Sequence, residues 1–230
     1  FKQIPENEFR RYFLNQWTST AERWLPAGVW EECYEEKTIP KGSEIILAFD
    51  GSYSRDSTAL VGISTEEKPH IQVFGHWERP ISENNLWKVP RDEVLFRISE
   101  IFRDYDVQEF VVDPMGWHNE LGELEEIYGS DMILYFEGNY RKKMAQACSR
   151  FYTAVMEKDL THDGDFNLFQ HLINCVPKET PQGTLVTKIN KSSARKIDLA
   201  IASIMAYDRW SDLRIEDQEP DQEAPQFINL

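Results

Sequence analysis

The sequence predicts an α/β fold: a mixed central sheet of three antiparallel strands followed by two parallel ones, flanked by helices. Two observations carry this prediction. Three runs of strand length follow one another closely between residues 45 and 78, the spacing of an antiparallel meander. Downstream the order becomes helix, strand, helix, strand, and strands separated by helices run parallel through crossovers. The 230 residues hold one domain with appendages, or at most two small domains. An apolar fraction of 41%, with seven Trp and thirteen Phe, is enough to fill a core.

Residues 1–40 read as an N-terminal arm, in which FRRYFLNQW is helix-like or irregular and LPAGVWEECYEE is a Pro-Gly turn followed by a short helix. Trp17, Trp24 and Trp30 give the arm something to pack with. The domain proper is expected over 41–210. Ile45–Phe49 is a continuous apolar run, typical of a strand covered on both faces, and Asp50-Gly51-Ser52 closes it. After a tight polar connection, STALVGIST reads as a second strand, and the alternating HIQVFGHWE as a third, nearer an edge. PRDEVLFRISEIFRDY sets Val94, Leu95, Ile98, Ile101 and Phe102 at helical spacing, with Pro at the start, where it is tolerated. EFVVD is a buried strand ending in Asp113, WHNELGELEEIYG a helix and DMILYFE a strand. YRKKMAQACSRFYTAVMEKDL and DFNLFQHLINCV are helices, and Thr180–Gly183 turns a hairpin around Lys178–Lys188. SSARKIDLAIASIMAYDRW is a further helix, with Ser192 and Ser193 as N-cap candidates. Residues 211–230 are acidic and contain two Pro, the composition of a disordered tail.

Composition excludes several classes. No run of about 18 apolar residues occurs, so no transmembrane helix is expected. The chain opens on Phe with a charged, amphipathic stretch, which reads as an excised piece without a signal peptide. Cys33, Cys148 and Cys175 are odd in number and far apart, which disfavours a zinc site and fits a reducing, cytosolic setting. His118, His162 and His171 lack zinc-hydrolase spacing, and no phosphate-binding G-x-x-x-x-G-K-[ST] loop is present. A net charge of −15 argues against a broad nucleic-acid face, although cations concentrate at 141–150 and 188–196.

The chemistry-bearing pattern is three carboxylates, each beside an apolar run: Asp50 in FDGS, Asp113 in VVDP and Asp198 in RKIDLAIA. A carboxylate so placed is costly unless paired or metal-bound. Strand ends on one side of a mixed sheet converge, so Asp50 and Asp113 can face each other, and Asp198 at a helix start can close the triangle. Carboxylates without His or Cys favour hard ions, Mg²⁺ or Mn²⁺, and two such ions can cut a phosphodiester. Taken singly, each Asp has an ordinary role: turn, strand terminator or residue favoured at a helix start. Asp56, on the turn between the first two strands, is a fourth candidate and equally a turn former. Small residues Ala200, Ala202, Ser203 and Ala206 let the last helix lie close to the sheet, by core packing alone or to lower Asp198 to the ions. Lys188, Lys191, Arg195 and Lys196 are equally a phosphate guide and a solvated face, whereas Arg141, Lys142 and Lys143 favour the solvated face.

The run from Ile45 to Ser64 resembles the first hairpin of the nuclease domain of tailed-bacteriophage large terminases, and VVDPMGW its second acidic strand. The most specific match is the block from MAQACSRFYTAVMEKDL to KINKSSARKIDLAIASIMA, with His171 and Asn174 in an H-x-x-N and Ser193, Lys196, Ile197 and Asp198 in the final motif. The likeness covers roughly 8–210. It implies a ribonuclease-H-like fold and two-metal cleavage of double-stranded viral DNA during packaging, with Asp50, Asp113 and Asp198 as ligands. It further implies an ATPase motor domain of the same parent chain, preceding NQWTSTAERWLP, with portal protein and small terminase subunit as partners. Host-cell cytoplasm is the implied compartment, and Phe227–Leu230 a docking peptide near the portal contact. Leu199 departs from the Gly or Pro often found after the motif Asp, without touching the ligand. Three alternatives stand beside this reading. A junction resolvase or related nuclease would share the metal chemistry. A sugar-kinase or actin-like ATPase would need a longer, duplicated chain. A non-catalytic module docking on portal or motor would not need the aspartates.

Overall fold

A computed structural model of the chain describes residues 23–51, 57–80, 87–136, 140–189 and 195–216. Six strands form the main sheet: β1 (Glu44–Asp50), β2 (Thr58–Ser64), β3 (His70–Trp77), β4 (Asp106–Asp113), β5 (Ile133–Tyr135) and β6 (Thr161–His162). Their order is β5-β4-β1-β2-β3-β6. β1, β2 and β3 are antiparallel neighbours, while β4 runs parallel to β1 and β5 parallel to β4. This is the arrangement the spacing predicts. β6, parallel to β3, is an addition, since a two-residue strand leaves no periodicity to read. The hairpin β7 (Val176–Thr180) and β8 (Gly183–Thr187) stands as a separate two-stranded sheet, with its turn where Thr180–Gly183 predicts one.

The helices are α1 (Arg91–Asp104), α2 (His118–Tyr128), α3 (Tyr140–Glu157), α4 (Phe166–Asn174) and α5 (Asp198–Glu216). They cover both faces of the sheet, which explains the unbroken apolar run of β1. Ile45, Leu47 and Phe49 point into one core with Val94, Ile98 and Ile101 of α1 and Leu121 of α2. Ile46 and Ala48 point into the other, shared with α3, α4 and α5. The arm joins this second core. Trp24 stacks on Phe151 at 5.9 Å and Trp30 on His162 at 4.0 Å, while Glu31–Cys33 forms a short 3-10 helix. Trp17 lies outside the described residues.

α5 has no polar face along its first half. Leu199, Ala200, Ala202, Ser203, Ile204, Met205 and Ala206 are fully buried, and the helix packs chiefly on β1 and β2. The small side chains allow that close approach. The helix departs from expectation at both ends. It begins at Asp198, and residues 195–197 are not helical; Ser192 and Ser193 lie outside the described residues. The amide of Asn174 donates to the Lys196 carbonyl at 2.9 Å, holding that carbonyl to α4. At the other end α5 runs to Glu216, into the stretch whose composition predicts a disordered tail. Trp210 and Leu213 dock on the core, and the Arg150 guanidinium bonds Asp208 at 2.8 Å and Asp212 at 2.5 Å. Residues 217–230, with Phe227–Leu230 among them, lie outside the described residues. Within the described residues no helix is long and apolar enough to cross a membrane.

Candidate active site

Asp50 and Asp113 end the two central parallel strands and are partners in register. Neighbouring strands lie about 4.8 Å apart, so the two side chains emerge side by side. Alternation fixes the face. Phe49 and Val112 belong to the α1–α2 core, so the next residue on each strand turns toward the α3–α5 side. Val111, two residues before Asp113, lies in the α3–α5 core, as this requires.

Asp198, the first residue of α5, is 6% exposed. The Ser57 hydroxyl donates to its Oδ2 at 2.6 Å. Ser57 immediately precedes β2, whose Ala59 pairs with Asp50, so this hydrogen bond ties the start of α5 to the end of the sheet where β1 stops. The three predicted aspartates therefore gather at one end of the sheet, on one face. Their spread is wider than a single-ion cluster. Among the described residues, the three side chains whose donor atoms all fall within 4.8 Å of one another are instead His76, Glu78 and His171.

Backbone on either side of Asp198 is held by α4. Nδ1 of His171 accepts from the Leu199 N–H at 2.9 Å, while Asn174 takes the Lys196 carbonyl. His171 and Asn174 are three residues apart and so share a helix face. The helix that carries them starts cleanly, with the Asp165 carboxylate accepting from Leu168 N–H at 2.8 Å.

Gly51 and Trp117 lie close in the chain to the two acidic residues. Gly51 packs closely against an indole: a Cβ there would stand 2.5 Å from both Phe49 Cε1 and Trp117 Cδ1. Trp117 is in turn capped by the Arg91 guanidinium, 4.6 Å above its ring, and Arg91 also pairs with Glu120. After β4 the Asp113 Oδ1 accepts from Met115 N–H at 3.1 Å, turning the chain at Pro114 and through Gly116, whose φ is +80°. Tyr140 opens α3, and desolvation, then the charges of Asp50 and Asp113, push its phenol above the usual range.

The cations divide. Arg195 is exposed and Lys196 half-buried on the segment entering Asp198, and Lys188 is half-buried just after β8. Lys191 and Asp56 lie outside the described residues. Arg141 and Lys142, read from sequence as a solvated face, are exposed in the first turn of α3. Lys143 lies 4.4 Å over the Phe136 ring.

Residues 87–212 match the family model of the terminase large subunit, endonuclease domain. Two curated relatives, each called Gene 13 protein, come from Mycobacterium phages L5 and D29. They are 29% and 28% identical over 88% and 87% of this chain and 37% of each of theirs. The chain thus spans 37% of the length of these relatives. Among solved structures, the HK97 bacteriophage large terminase superimposes with a TM-score of 0.65 at 23% identity, over 89% of this chain and 47% of that one. The large terminase nuclease of thermophilic phage G20c with bound magnesium gives a TM-score of 0.54 at 13% identity, over 83% and 98%. At these identities the likeness establishes the fold, which is the one the resemblance implies.

Proposed function

Because the chain belongs to the terminase large subunit endonuclease-domain family, we propose that it is a divalent-metal-dependent endonuclease that cleaves double-stranded viral DNA during genome packaging. The observation that carries this is the register partnership of Asp50 and Asp113 on the face where α5 begins with Asp198. Such a donor set, oxygen-only and anionic, fits hard ions. Asp50, Asp113 and Asp198 would hold two of them, Mg²⁺ or Mn²⁺. Bound there, the ions would activate water for attack on a phosphodiester and neutralise charge on the leaving oxygen. A magnesium-bound nuclease among the related folds supports that choice of ion.

The protein's own groups do the rest. Ser57 orients one oxygen of Asp198, and the Gly51–Trp117 contact fixes the chain leaving Asp50. Lys188, Lys191, Arg195 and Lys196 bind the DNA backbone by charge. Asp56 acts beside the three ligands as a water-positioning group. We place the nuclease domain at 41–210, with the arm linking it to an ATPase motor in the parent chain. Portal protein and small terminase subunit are its partners, and the host cytoplasm its compartment.

The test is nicking of supercoiled plasmid with Mg²⁺, with Mn²⁺ and with chelator. Cleavage that needs either ion, and is lost in Asp113→Asn, supports the reading. Cleavage that survives chelation, or none with either ion at high protein concentration, overturns it. A docking module would bind its partner equally well in the Asp113→Asn form.

A further inference from the structure

The H-x-x-N pair on α4 bonds the backbone at the start of α5. His171 is 3% exposed, and its Nδ1 accepts from the Leu199 N–H, one residue after Asp198. Asn174 donates to the Lys196 carbonyl, two residues before it. Two hydrogen bonds of 2.9 Å thus clamp the backbone on both sides of one side chain. The first is also a helix cap supplied from outside, because N–H groups in the opening turn of α5 have no partner within the helix. The same bond argues against the nearby His76–Glu78–His171 group as a metal site. An Nδ1 that accepts an N–H leaves the proton of the neutral ring on Nε2, which then has no lone pair for an ion.

We propose that His171 and Asn174 are positioning residues that aim the Asp198 carboxylate at the metal ions by gripping Lys196 and Leu199. This rests on the metal-nuclease reading of the three aspartates. Ser57 fixes one oxygen of Asp198 from the sheet, and the grip fixes the Cα that carries it. Without the grip Asp198 keeps its charge but loses its aim, so the loss falls on metal affinity rather than on the rate once metal is saturating.

Three variants test the grip: His171→Leu removes the acceptor, His171→Asn returns an oxygen near the Nδ1 position, and Asn174→Asp removes the donor. Two readouts are followed, exchange of the Leu199 amide in metal-free protein and the Mn²⁺ concentration for half-maximal plasmid cleavage. His171→Leu is expected to speed Leu199 exchange and to raise the Mn²⁺ requirement by about 10- to 100-fold, as when the partner of a metal ligand is lost. Its cleavage rate at saturating Mn²⁺ stays near wild type. His171→Asn restores both readouts, and Asn174→Asp repeats the Mn²⁺ effect. If His171→Leu does not fold, Asn174→Asp carries the test through the other hydrogen bond. A wild-type Mn²⁺ requirement in the folded variants, or His171→Asn as impaired as His171→Leu, overturns the grip. The parent reading has its own control: Asp198→Asn cleaving like wild type removes both, whereas an inactive Asp198→Asn beside a His171→Leu of normal metal requirement removes the grip alone.

Discussion

The Ser57 hydroxyl joins the end of the sheet to the start of α5. Ser57 and Asp198 are both buried, and a hydrogen bond to a buried charge contributes about 1.5–3 kcal/mol. Ser57→Ala is expected to lose stability in that range by urea denaturation and to need more Mn²⁺ for cleavage. Asp50→Asn, Asp113→Asn and Asp198→Asn remove charge at constant size. Each should abolish metal-dependent nicking while leaving a folded protein by circular dichroism, and a variant that nicks like wild type loses its place as a ligand. Asp56→Asn is expected to have the smaller effect of a water-positioning group. Gly51→Ala should cost about 1–3 kcal/mol, because its methyl cannot coexist with Phe49 and Trp117 as they lie. The cost should shrink in a Trp117→Leu background when the two are compared by denaturation. The three aspartates were legible in the sequence because each ends or begins an apolar segment. Ser57 was not, because it acts on a residue distant in the chain and an ordinary Ser sets no local pattern. His171 and Asn174 were visible as a motif, but what they bond to was not.

At the level of elements, α5 buries a charge it could do without. Burial pushes the Asp208 carboxyl up, and the neighbouring Arg150 only partly offsets this. A carboxyl raised in the folded state binds its proton more tightly there than in the unfolded chain. Its contribution to stability is therefore fully present below the unfolded value of 3.8 and is lost as pH rises through the folded one. Asp208→Asn removes that loss. The stability of the variant relative to wild type should improve as pH rises from 3.5 toward 7, measured by urea melts across that range; a constant difference would contradict the assignment. The sequence disclosed the order of the elements, since hydrophobic period and spacing are local. It misplaced both ends of α5. Arg195 and Lys196 look helical by composition, while the bond that holds the Lys196 carbonyl to α4 comes from Asn174. The acidic residues past 211 hid Leu213, which docks the last turns together with Trp210. Nor did the sequence reveal the irregularity between Ile45 and Ile46, which sets the pairing of β1 with β4 and so brings Asp50 level with Asp113.

For the molecule as a whole, the proposed metal site ties ion binding to stability. Ions that bind the folded site and not the unfolded chain stabilise it by about 2.7 kcal/mol at a hundredfold excess over Kd. Mn²⁺ should therefore raise the melting temperature of wild type and leave that of the triad variants where it was; an equal rise in both would place the ion elsewhere. The net charge of −15 leaves few cations for DNA, so binding in Ca²⁺ should weaken with salt at a logarithmic slope no steeper than about −4, one step for each of Lys188, Lys191, Arg195 and Lys196. The burial of α5 also has a consequence in time. Asp50 waits for Asp113, and both wait for a helix that is itself the centre of the second core. During synthesis, a chain that has emerged only as far as the β7–β8 hairpin has neither the third carboxylate nor the helix that closes that core. A metal-dependent nuclease of the kind proposed above is thereby inactive while its chain is unfinished. Its blade is completed by the same step that completes its fold.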